Sequence, residues 1–423
     1  MKRILFLAIA YSLTTFTTQA QFNDGIFVVN EGGAQGSVSF ISGTTVQNDI
    51  YSTVNPGMSL GSIVQSMGIH DGKAYIVSNV SNKITVVNAT TFVHQGVITA
   101  ELENPRFITF SGANAYVTCW GDAAVTTDDY VAVINTADNT IITTIPVTEG
   151  PERILLENGK LYVAHKGGYG YGTSVSVINP ATNTLQNVIG VGDVPGTMVV
   201  KDGYLYVMCE GKPSWGGSET TGALYKIDLA TNTVPAITVF PDVQHPSNLV
   251  IGGDDLFFTV DSGVFKMPVS STVLPTVPLF SVEEQDVYGV YGMQIIDDKL
   301  YIADAADYVS NGGAYVYNLS GAPVADYTVG LIPNGFYKSP QTSAGVIENM
   351  AVTFSVYPNP ASEVIYINSD EVTAVTIFDV SGRIVKSENY TTAGITVSGL
   401  AKGTYFVEMT AVASKSVKQL IIK

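Results

Sequence analysis

The sequence predicts an all-β chain: a seven-bladed β-propeller closed by a C-terminal strand, followed by a smaller β domain. Three observations carry that expectation. Seven times an aromatic residue sits in one short strand pattern after a polar or Gly-containing turn: Phe27 (NDGIFVVN), Tyr75 (DGKAYIVS), Tyr116 (GANAYVTC), Tyr162 (NGKLYVAH), Tyr206 (DGYLYVMC), Phe257 (DDLFFTV) and Tyr301 (DDKLYIAD). Their spacing stays at roughly 41 to 51 residues, the period of four-stranded propeller blades and too long for leucine-rich or ankyrin units. Each anchor is followed by a second apolar strand, and in three units that strand runs into NTADNTI, NPATNTL or DLATNTV, whose Asn, Asp and Thr bond the local backbone and stop it.

Each unit is therefore a meander of strands A to D. The chain enters at strand B of the first unit, because residues 22–30 have no A strand ahead of them. LIPNGFY (331–337) follows the seventh D strand (325–329) and resembles the A-strand lead-ins ENPRFITF, EGPERILL, GDVPGTMV and HPSNLVI. It is expected to complete the first blade, leaving no free edge.

Composition agrees. A hydrophobic fraction of 46% supplies a large core, and 423 residues exceed an ordinary single globule, so a repeat ring with a second domain is expected. The net charge of −17 argues against a nucleic-acid role, since a phosphate backbone would be repelled where it needs lysine and arginine.

Residues 1–20 read as a secretory signal: Lys2 and Arg3, an apolar stretch over 4–13, and the small-residue site Thr18, Gln19, Ala20. No later stretch approaches about 18 continuous apolar residues, so no membrane span is expected. Cys119 and Cys209 each lie three residues after an anchor tyrosine, on blades separated by a whole blade. Bridging needs Cα atoms within about 7 Å, so two buried free thiols are expected. A closed ring needs no partner for stability, and a monomer is expected.

After the propeller (21–338), residues 339–353 are small and polar and read as a linker. FSVYPNPASEVIYI, IFDVSGRIV, GLAKGTYFVEM and the terminal VKQLIIK then resemble, across 354–423, the sorting domain of type IX secretion substrates in Bacteroidetes. That resemblance implies an immunoglobulin-like β-sandwich, the type IX translocon as partner, and a secreted or cell-surface location. The ring segment is similar, more loosely, to YVTN or YncE-like propellers of bacterial surface proteins, through DG-x-LYV, VSVIN and ATNT elements. Such elements mark fold and not activity.

Strand alternation indicates where function lies. The A–B and C–D turns are short and share one face; the variable B–C loops share the other with the D–A lead-ins. The candidate ligand-binding residues there are Glu31, Arg106, Trp120, Arg153, His165, Tyr169, Tyr171, Glu210, Trp215, Tyr291, Asp304 and Tyr308. Both tryptophans of the chain fall in these loops, and GGYGYG (167–172) presents two tyrosines on a pliant backbone. Each aromatic could instead cover its own blade end, and Arg106 and Arg153 could simply pair with Glu103 or Glu152.

No HExxH, GxSxG, P-loop or calcium-loop spacing appears, so no catalytic residue, metal or cofactor is assigned. The expectation is an exported, non-catalytic propeller that binds a small molecule or glycan. Within that class, NEGGAQGSVSFIS (30–42) resembles the start of surface propellers that capture cobalamin in gut Bacteroidetes, which are lipoproteins without a sorting domain. A hydrolase or lyase using Glu152, Glu210 or Asp304, and an adhesion scaffold, stay open as alternatives.

Overall fold

A computed structural model describes residues 21–122, 124–285, 287–341, 355–367, 372–391, 393–411 and 415–423. The expected export signal lies outside the described residues, as does most of the expected linker. The chain divides into two compact units, residues 1–341 and 342–423. Ser339, expected to begin the linker, belongs to the first unit: it is buried, and its Oγ accepts the Gly25 N–H at 2.8 Å.

In the first unit the described residues form seven four-stranded antiparallel sheets in a propeller-like arrangement. The first A strand to be met along the chain is Val64–His70, followed by Pro105–Ser111, Pro151–Glu157, Pro195–Lys201, Ser247–Gly252, Gly292–Ile296 and Pro333–Lys338. Each packs against the next, and the last returns to Val64–His70, so these strands close a ring. Pro333–Lys338 pairs with Ile26–Asn30, placing Tyr337 opposite Phe27, so the first sheet is built from both ends of the unit.

The seven anchors occupy equivalent places on the B strands, where alternation buries them between sheets. Burying each contributes about 1.5–3 kcal/mol. Tyrosine adds a cross-link that phenylalanine lacks. The Tyr116 hydroxyl donates to Pro180 O at 3.0 Å, in the C–D turn of the next sheet, and the Tyr75 and Tyr206 hydroxyls reach Thr136 O and Val269 O in the same way. Asn135, Asn179 and Asp228 stop their strands by accepting backbone N–H groups two residues on. Cys119 and Cys209 are buried free thiols, and burial pushes both up to about 12, so they are inert.

The second unit has a four-stranded sheet, Ile384–Asn389, Val372–Asp379, Gly403–Ala411 and Lys415–Ile422 in spatial order, and a three-stranded one. Ile365, Ile377, Val397, Val407, Met409 and Leu420 form its core.

Candidate functional site

The lead-ins to the A strands share a backbone device. Ile63, Asn104, Gly150, Val194 and Ile332 stand immediately before these strands with φ of 53°, 47°, 63°, 58° and 55°. For Ile and Val that left-handed geometry is strained, and the surroundings must hold it. What holds it is a recurring bond to the start of a B–C loop: Glu31 N–H donates to Ile332 O, Asn79 to Ile63 O, Trp120 to Asn104 O, Gly167 to Gly150 O and Glu210 to Val194 O. Glu31, Trp120 and Glu210 are thereby fixed beside the inner strands.

Just past that point six of the A strands carry an irregular register against their partners, as between Pro105 and Ile108, Pro151 and Ile154, and Ser247 and Val250. A bulge re-aims a side chain. Here the bulges bring Gln65, Arg106, Arg153, Asn248 and Asn334 to one cavity of about 250 Å³ at the mouth of the ring, which Glu31, Glu152, Lys166, Glu210, Tyr291 and Tyr337 also line.

The carboxylates at this mouth are all engaged. Arg106 forks onto Glu152 with Nε–Oε2 and Nη2–Oε1 both at 2.9 Å, side chains 13% and 9% exposed. Burial pushes the Glu152 carboxyl up, but the charge and hydrogen bonds of Arg106 outweigh it and hold the group below the ordinary glutamate value. Lys166 pairs with Glu210 at 3.0 Å. Glu31 accepts the Tyr291 hydroxyl at 3.0 Å and Asn334 Nδ2 at 3.1 Å.

Beside the mouth, and sharing Arg106, Glu152, Lys166 and Glu210 with it, is an aromatic cleft of about 530 Å³. Trp120, Tyr169, Tyr171 and Trp215 reach it from the B–C loops of three successive sheets. Trp120 is oriented: its ring lies under the Arg106 guanidinium at 4.0 Å, its Nε1–H donates to Pro151 O at 3.1 Å, and Tyr169 meets it edge-on at 5.7 Å. Trp215, on the short turn Ser214–Gly216, is 86% exposed, and Tyr169 is 64% exposed. Gly150 is a necessary glycine here, since a Cβ would come within 1.8 Å of Gly168 N and push away the loop that carries both tyrosines.

Three candidates fall elsewhere. His165 does not reach the face: it is fully buried inside its sheet with Nε2 2.8 Å from Ser176 Oγ, and burial lowers it to about 4. Asp304 is buried and accepts the Ala306 N–H of its own loop at 3.0 Å and the Tyr288 N–H of the lead-in to Gly292–Ile296 at 3.2 Å. Tyr308 stacks edge-on with Tyr291 over a separate cavity of about 90 Å³, apart from the tryptophans. Arg153, whose alternative reading was a pair with Glu152, instead lies over the Phe107 ring at 4.0 Å. Gln65, Thr197, Asn334 and Tyr337 line the mouth although the loop pattern had not singled them out.

Among the described residues, no group of three or more His, Cys, Asp or Glu is placed to hold a metal ion, and no helix is long and apolar enough to cross a membrane.

Comparison with known proteins agrees with both units. Residues 24–306 match the family described as a domain of unknown function (DUF5074), and residues 355–423 match the secretion system C-terminal sorting domain. No curated protein matches. Among solved structures, a quinonprotein alcohol dehydrogenase-like protein from Bacteroides thetaiotaomicron VPI-5482 is 16% identical, over 75% of this chain and 79% of that one, with a TM-score of 0.58. A functionally unknown protein from Desulfotomaculum acetoxidans DSM 771 is 13% identical, over 76% of this chain and 100% of that one, with a TM-score of 0.55. At such identities the likeness shows the fold alone. The sorting domain marks the chain for type IX export to the cell surface or the medium.

Proposed function

Because this chain belongs to the DUF5074 family, whose description assigns no activity, we propose its function from the site itself: an exported seven-bladed β-propeller of YVTN/YncE-like character that captures a small molecule or glycan in the aromatic cleft. The second unit is read as an immunoglobulin-like sorting sandwich that engages the type IX translocon.

The observation that carries this reading is the convergence of Trp120, Tyr169, Tyr171 and Trp215 on one open cleft. Exposed aromatics scattered singly need no explanation, but a group framed by charged residues matches what recognition of a planar or ring-shaped ligand requires. Trp120 is pre-oriented by its neighbours, so less entropy is lost on binding. Glu152 and Glu210 are each held in an ion pair, with Arg106 and Lys166, which favours capture over catalysis at this mouth.

Equilibrium dialysis of the full chain against corrinoids, haem and defined oligosaccharides tests it. Corrinoids belong in the panel because residues 30–42, which bring Glu31 to the mouth, resemble cobalamin-capturing propellers. Retention of one class, in a one-to-one ratio, is expected. Retention of none contradicts small-molecule capture.

A further inference from the structure

Of the three cations at the mouth, one is uncommitted. Arg106 is matched to Glu152 and Lys166 to Glu210, whereas the Arg153 guanidinium forms no hydrogen bond or ion pair among the described residues. It sits 4.0 Å over the Phe107 ring centroid and borders two cavities, the mouth and a second of about 270 Å³ lined by the A strands farther along, so it stands where the mouth passes into the interior of the ring. The nearest acids, Glu152 and Glu210, are hydrogen-bonded to Arg106 and Lys166. Thr197 and Asn248, which line the same mouth, carry neutral polar groups.

An arginine with free donors in a partly desolvated pocket is a recognition element for a carboxylate or phosphate, two oxygens of which it meets with parallel hydrogen bonds. We propose that Arg153 is an oxyanion subsite, holding a carboxylate or phosphate group of a small ligand at the mouth of the ring. The Phe107 ring underlies the guanidinium, and the neighbouring aromatic cleft would take the rest of such a ligand, a placement that rests on the reading proposed above. Burial lowers the basicity of Arg153 despite the neighbouring carboxylates of Glu152 and Glu210, so the site gains from a bound anion.

Calorimetric titration of the full chain with inorganic phosphate and, separately, succinate tests this without knowledge of the natural ligand. At least one should bind with a Kd of about 1 mM or tighter, and the arm that does so separates phosphate from carboxylate recognition. Arg153→Met should weaken that binding by about tenfold or more. Arg153→Lys keeps the charge and the stem but loses the fork, and serves if the Met variant does not fold; it should still weaken binding by about threefold or more. No binding of either anion, or equal affinity in wild type and the Lys variant, overturns the proposal. Anion binding that survives while the dialysis panel is silent would leave Arg153 standing and sink the aromatic reading; a panel ligand bound equally by wild type and Arg153 variants, with no anion binding, does the reverse.

Discussion

The Arg106 guanidinium and the Glu152 carboxylate come from the A strands of adjacent sheets and meet in a two-point fork, both hydrogen bonds 2.9 Å long, nearly sealed from solvent. The pair fastens two sheets at the mouth and provides the upper face against which Trp120 stacks. It therefore couples the ring's integrity to the shape of the cleft.

Arg106→Met leaves a buried carboxylate without its counter-charge, which costs about 3–5 kcal/mol. Urea unfolding of the variant at neutral pH measures it. The same variant should loosen Trp120, seen as a red shift of its emission.

His165 makes stability depend on pH. Its folded value is about 4 against 6.5 in the open chain, so between those values the unfolded chain binds a proton that the folded one refuses. Stability attributable to His165 is thus present above 6.5 and falls as pH drops towards 4, by roughly 3 kcal/mol in total. Asp129, which burial raises to about 6, pulls the opposite way over part of that window. The difference between wild type and His165→Asn, followed by urea unfolding at pH 4.5, 5.5 and 7, isolates the histidine: the wild type should lose more stability on acidification than the variant.

The anchor tyrosines should divide by hydroxyl partner. Tyr116 bonds the next sheet's turn at Pro180 and Asn183, so Tyr116→Phe should cost about 1 kcal/mol. The Tyr162 hydroxyl is buried without a partner among the described residues, so Tyr162→Phe should be neutral or stabilising. Thermal melts of the two variants decide it.

These residues also show what sequence could and could not convey. The anchors were legible because an aromatic after a Gly-containing turn is a local pattern with a fixed period, and closure of the first sheet was legible because LIPNGFY shares its Pro with other lead-ins. His165 and Asp304 were misplaced although the same logic was available. Both stand three residues after an anchor, the position of Cys119 and Cys209, and all four are buried. Their polarity drew them towards the site, while the strand register held them inside. The mouth residues Gln65, Thr197 and Asn334 were missed because their exposure to the cavity depends on bulges, a backbone irregularity that strict alternation does not foresee. The cleft was partly legible, since its aromatics lie in loops of one face; that Tyr308 sits apart from them is a matter of tertiary geometry.

Gly150 holds the tyrosine loop in register through close backbone approach and φ of 63°. Gly150→Ala should cost more than about 1 kcal/mol and weaken ligand capture together, because it displaces Tyr169 and Tyr171. Parallel melting and dialysis of this variant would reveal a loss in both; a loss of stability with unchanged capture would separate the loop from the site.

Intrinsic fluorescence reads ligand capture at its source, since both tryptophans of the chain, Trp120 and Trp215, line the cleft. Titration of the full chain with the ligand panel should give saturable quenching by one class. Trp215→Ala, at an exposed side chain, should leave stability within about 0.5 kcal/mol while weakening that affinity about tenfold. A panel that never perturbs the emission, or an affinity unchanged in both Trp120→Ala and Trp215→Ala, would contradict ligand capture in this cleft.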